Sequence, residues 1–189
     1  MAFFLSFTIL LSMDKQPIDE IRRQFELATE FNDIFDAFEQ ALELQIDDID
    51  LYKILFWNKS LSPDEVALFA DQLVKKFPSL AYEAYMWLGE MSALTLASED
   101  NFDHAMDYYK KAALEKPSAV EPYVKAVLCY DPDIKIPPAQ NLIELVKTGI
   151  SHVADPKILY QRLAFLYDQL GNDEMTQYYK RLSEEGPSQ

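Results

Sequence analysis

Glycine, cysteine and histidine are scarce in this chain, and each scarcity removes a class of chemistry. The four glycines among 189 residues are Gly89, Gly149, Gly171 and Gly186. They are too few and too scattered for a phosphate-cradling G-x-G-x-x-G or Walker loop, or for a G-x-S-x-G nucleophile elbow. The single cysteine, Cys129, excludes an intrachain disulfide framework and a multi-cysteine zinc or iron–sulfur site. His104 and His152 stand 48 positions apart with no H-E-x-x-H spacing, so no metal is expected. Basic residues are outnumbered, seventeen against thirty-two acids, which leaves a net charge of −15. Nucleic acid is not expected as a partner, because binding it depends on Lys and Arg displacing counterions from phosphates. No cofactor is expected, and the chain does not read as an enzyme.

Long uncharged runs are also missing, save one. Residues 2–13 (AFFLSFTILLSM) fall short of the about 20 apolar residues needed to cross a bilayer, so no membrane span is expected. The run has neither the basic start nor the small-x-small cleavage site of a secretory signal. It reads as an apolar tail or a start assigned one methionine early, since Met13 directly precedes Asp14-Lys15-Gln16-Pro17. An export signal is the alternative. The expected compartment is the cytoplasm, or outside it if residues 1–13 act as a signal. Residues 14–189 are expected to form one domain.

What is present is helical periodicity. From Pro17 onward apolar residues recur every three or four positions rather than alternating. Ile34, Ala37, Phe38 and Ala41 make one stripe while Asp36, Glu39 and Gln40 face away. Ser62-Pro63-Asp64-Glu65 combines a capping oxygen, a proline at a position that needs no donor, and acids against the helix dipole. Ser118 with Glu121 repeats the capping-box spacing, Asp155-Pro156 repeats the cap-plus-proline device, and Gly171 predicts a left-handed helix stop. These signals predict helices over 17–29, 33–45, 48–59, 63–77, 80–97, 101–115, 119–130, 138–152, 156–170 and 173–184, with no strand pair. The longest connection is 131–137 (DPDIKIP). Pro78, Pro117 and Pro156 are spaced 39 residues apart, a period that marks stacked helix pairs too small to bury their own apolar faces.

The residues at that period resemble the tetratricopeptide repeat (TPR) family, whose pattern runs W-x2-L-G-x2-Y, A-x3-F, P. The third pair carries Tyr85, Leu88-Gly89, Ala105-x3-Tyr109, Ala112 and Pro117, with four extra residues between Gly89 and Ala105. The fifth carries Tyr160-x2-Leu163-Ala164-x2-Tyr167, Gly171, Tyr179 and Pro187, with alanine in the glycine position. The fourth offers Tyr123-x2-Ala126-Val127-x2-Tyr130 but a poorly fitting second helix. In the first, Phe38-x2-Ala41-Leu42 resembles a second TPR helix, while 51–78 keep only the spacing. The resemblance covers residues 15–187 and implies an all-α, TPR-like solenoid of about five antiparallel helix pairs wound as a right-handed superhelix.

The same resemblance implies a concave surface lined by the first helix of each pair. Carried onto this chain, the lining positions are Glu83, Met86 and Glu90, then Val124 and Leu128, then Gln161, Phe165 and Asp168. TPR domains that grip a chaperone's C-terminal carboxylate use lysine and asparagine at such positions. Met86, Val124, Leu128 and Phe165 stand there instead, so a carboxylate clamp is not expected. An apolar groove with an acidic rim suits a protein or peptide segment of basic and apolar character. The function so implied is a non-enzymatic adaptor, with a small acidic secretion or folding chaperone as the alternative.

Other constellations carry little chemistry. Cys129 reads as a small buried residue, His104 as a solvated surface histidine, and Asp47-Asp48-Ile49-Asp50 as a helix-capping loop, since it lacks the alternation and glycine of a calcium loop. Charge is uneven: residues 14–50 hold twelve acids and three bases, a net of −9. An acidic end of that kind either serves solubility or steers a basic partner.

Overall fold

In a computed structural model, residues 15–94 and 100–185 are described. They form ten α-helices and one short 3-10 helix. Among the described residues there is no strand, only an isolated antiparallel bridge between Asp131 and Ile136, and no helix is long and apolar enough to cross a membrane. The apolar run 2–13 lies outside the described residues. Two compact units divide at Ala84/Tyr85.

The first unit contains α1 (Lys15–Leu27), α2 (Phe31–Glu43), α3 (Ile49–Phe56), α4 (Pro63–Lys76), the 3-10 turn Pro78–Leu80 and the start of α5 (Ala81–Leu94). α1 packs on α2 and α3, and α2 packs on α4. The predicted stripe Ile34, Ala37, Phe38 and Ala41 is the buried face of α2. Phe38 meets Phe69 edge-on at 4.8 Å and Tyr52 edge-on at 6.1 Å between ring centroids, so the three helices share an aromatic centre. Such edge-to-face pairs add ~1 kcal/mol beyond the area they bury.

The termini obey local chemistry. Ser62 and Glu65 complete a capping box: the Ser62 Oγ accepts from the Glu65 N–H at 3.3 Å, and the Glu65 Oε2 accepts from the Ser62 N–H at 2.7 Å. That backbone donor, followed by the Ser62 hydroxyl, holds the Glu65 carboxyl below its usual value. Asp48 caps α3 by accepting from the Asp50 N–H, as expected of that acidic loop. α2 ends differently, with Gln45 in the left-handed region (φ 54°). There the Ile46 N–H reaches the Ala41 carbonyl and the Gln45 N–H reaches that of Leu42, the Schellman arrangement with glutamine in the glycine position.

Asn58 was not foreseen. It is buried directly after α3, donates from Nδ2 to the Phe25 and Ala28 carbonyls at 2.9 and 3.0 Å, and accepts from the Ser60 N–H at 2.8 Å. One side chain thereby satisfies two of the C-terminal carbonyls of α1, which are orphaned by helix geometry.

The second unit contains the rest of α5, then α6 (Asp100–Glu115), α7 (Glu121–Leu128), α8 (Ala139–Ile150), α9 (Lys157–Gln169) and α10 (Asp173–Glu185). Each of α6 to α9 packs on the next, and α7 also packs on α9. Leu142, Ile143, Val146, Leu159, Leu163 and Leu166 fill the core between them. Gly89 faces Tyr109, whose ring would lie 2.7 Å from a Cβ added there. Close approach therefore requires glycine at the Leu-Gly position of this pair. Gly171 has φ +68° and closes α9 with the Asn172 N–H on the Tyr167 carbonyl and its own N–H on that of Asp168, a complete left-handed stop.

One capping expectation fails. α7 begins at Glu121 rather than 119, and no side chain caps it. Ser118 sits in a turn whose Ala119 N–H bonds the Lys116 carbonyl, and Pro122 sets the first turn instead. At Asp155-Pro156 the expected device is present, with Asp155 Oδ1 accepting from the Lys157 N–H at 3.0 Å.

Candidate functional site

The expected lining residues fall into distinct environments. Glu83 is exposed in the first unit. The other seven belong to the second. Met86 and Val124 are half-buried against its core, so their apolar side chains are already partnered. Gln161, Phe165 and Asp168 are exposed along α9. Together with Lys180 and Ser183 of α10 they line an open hollow of about 320 Å³.

Glu90 and Leu128 lie in a larger cleft of about 600 Å³. It is lined by Glu90, Ala93 and Leu94 of α5 and by Phe102 and Tyr109 of α6. The end of α7 also lines it, with Lys125, Leu128 and Cys129, continuing into Tyr130, Asp131, Pro132 and Asp133. Lys125 Nζ reaches Glu90 Oε1 at 3.0 Å across the two helices. Leu94 and Leu128 are 72% and 61% exposed, so the cleft presents aliphatic side chains to solvent.

The 131–137 connection is ordered by its own first residue. Asp131 Oδ1 accepts from the Asp133 and Ile134 N–H groups at 2.8 and 3.3 Å, and the Asp131 backbone bonds Ile136 and Lys135. That closed turn presents Pro132 and Asp133 to the cleft. Tyr130, at its base, meets the exposed Phe165 of α9 edge-on with centroids 6.2 Å apart. The turn after α7 and the surface of α9 are thus joined by an aromatic contact.

Nucleophilic chemistry is unfavourable here. Cys129 is buried, donates its thiol to the Lys125 carbonyl at 3.4 Å, and is pushed up from 9.0 to about 11 by burial. A thiol, not a thiolate, is therefore present at neutral pH. His104 is exposed on α6, as expected. His152 is exposed after α8 with Nδ1 against the Thr148 carbonyl and Ser151 Oγ. Among the described residues no group of His, Cys, Asp and Glu is arranged to hold a metal ion.

Phe102, Tyr109, Tyr130, Asp131 and Asp133 were not foreseen as site residues. Two features of the sequence pointed toward them: the four extra residues between Gly89 and Ala105, and the long DPDIKIP connection. Comparison with models of known protein families gives no match for this chain, and neither does comparison with curated proteins.

Proposed function

We propose that this protein is a non-enzymatic, TPR-like adaptor that holds a segment of another polypeptide against the α7 and α9 surfaces of its second unit. The observation that carries the proposal is that Leu128 and Phe165 are both exposed on two helices that pack together, with Tyr130 against the Phe165 ring. Apolar side chains held in solvent on rigid elements gain free energy when a partner covers them, about 25 cal/mol per Å² buried. Gln161 and Asp168 flank Phe165 and supply polar contacts that orient a bound backbone. The repeated Tyr, Leu-Gly and Pro positions support the family reading, and the thiol of Cys129 and the exposed histidines fit a role without catalysis.

The test is selection of peptides from a random library by the full chain, followed by the double variant Leu128→Asp, Phe165→Asp. Selected peptides should bind the variant at least about tenfold more weakly when measured well below its melting temperature, which should fall only modestly: Leu128 is 61% exposed, and Phe165 gives up its edge-on contact with Tyr130. Peptides that bind the variant equally well overturn the proposal, as does a selection that enriches nothing.

A further inference from the structure

The two places where the second unit departs from its own repeat meet at one cleft. α5 runs on past Gly89 to Leu94, and the turn after α7 is built around Asp131; both departures line the same 600 Å³ space. Insertions in stacked-repeat proteins collect on one face, often the binding face, and local departures from an otherwise regular pattern mark functional positions.

The cleft's charge states what would fill it. Its lining holds three acids, Glu90, Asp131 and Asp133, against one base, Lys125, which is already paired with Glu90. α7 ends there, at Leu128, and the C-terminal end of a helix carries partial negative charge that attracts cations. Apolar walls beneath focus that field. Leu94 and Leu128 stand at the mouth with most of their surface in water.

We infer that this cleft recognises a polypeptide segment in which an apolar side chain is followed closely by arginine or lysine. The apolar side chain packs between Leu94 and Leu128, and the cation lies toward Asp131 and Asp133. The inference rests on the polypeptide-binding reading above and gives its partner a chemistry.

The probes are two pools of short labelled peptides, identical except that one fixes leucine or phenylalanine followed by arginine and the other the same residue followed by glutamate. The arginine pool should bind the full chain about tenfold more tightly, and the gap should narrow as salt is raised. The variant Leu94→Ser, Asp133→Lys should erase the preference, since it removes an apolar wall and reverses an acid at two exposed positions. Asp133→Asn should reduce it without touching the fold. Equal binding of the two pools, or a preference unchanged in both variants, overturns the inference. If library-selected peptides are lost in the Leu128→Asp, Phe165→Asp chain while the pools show no preference, the adaptor reading stands and the cleft assignment falls. If no peptide of any kind binds, both fall.

Discussion

Gly149 of α8 faces the ring of Tyr123 of α7 so closely that a Cβ on the glycine would lie 2.8 Å from two ring carbons. Tyr123 is held in place because its hydroxyl donates to the Pro117 carbonyl at 3.0 Å. The preceding pair has the opposite polarity, with Gly89 on its first helix and Tyr109 on its second. One packing solution, a ring laid over a glycine, is thus used in both directions.

Substituting Gly149→Ala should therefore destabilise the protein. Alanine gains about 1 kcal/mol of helix propensity, but the added methyl meets an anchored ring, and overpacking costs about 1–3 kcal/mol. The net loss should be visible in urea unfolding. Combining it with Tyr123→Leu should recover part of the loss, which a double-mutant cycle would read as coupling between the two sites.

Left-handed positions provide an opposite pair of expectations. Gln45→Gly should stabilise by a few tenths to about 1 kcal/mol, because a side chain in that region costs about 1–2 kcal/mol and glycine's greater unfolded-state freedom offsets part of the gain. Gly171→Ala should destabilise by about 1 kcal/mol for the same reason, since nothing lies within 4 Å of the added carbon. Both shifts can be measured as denaturation midpoints, and matching signs would refute the shared cause.

Asn58→Leu should cost about 2–4 kcal/mol, since it deletes three hydrogen bonds and leaves the Phe25 and Ala28 carbonyls unpaired. Asn58→Asp should be worse at neutral pH and recover toward acid pH. A carboxylate would face two carbonyls, whereas its protonated form can donate to one of them.

Alkaline pH should destabilise the fold. Burial raises Tyr52, Tyr109, Tyr123 and Tyr179 above the usual tyrosine value of 10.0, and Cys129 from 9.0 to about 11. Groups that hold protons more tightly when folded contribute fully below their unfolded values. The contribution is lost as pH climbs from those values toward the folded ones. Stability should fall from about pH 9 upward, first through Cys129 and then through the tyrosines. Tyr109→Phe should flatten the alkaline limb of a stability–pH curve.

Cys129 should also resist a thiol reagent at mildly alkaline pH and react fully once urea unfolds the chain, because the folded thiol is both 7% exposed and protonated. Rapid labelling of the native protein would contradict that placement.

All ten helices lie within three residues of the spans predicted from periodicity and caps, apart from the predicted end at 97, which is outside the described residues. Ser62-x-x-Glu65 and Gly171 act as expected because their hydrogen bonds close within a turn of the chain. Ser118 failed although it had the same spacing, since the turn following Lys116 claims the backbone that the cap would have started. Asn58 was illegible, because its partners lie 33 and 30 residues earlier. Gly149 was illegible too, because its ring partner breaks the direction set by Gly89.

What the sequence determined by itself was helix identity, the stripes that turn inward, the acidic surplus and the absence of nucleophile and phosphate-loop motifs. All of these depend on residues a few positions apart or on simple counts. Only tertiary structure decided that Met86 and Val124 pack on the core while Leu128 and Phe165 remain in water. It also decided that Glu90 pairs with Lys125, and that Leu94 and the Asp131 turn line one cleft. Those outcomes depend on which helix ends come together, and side-chain contact between distant segments is settled by packing rather than by local pattern.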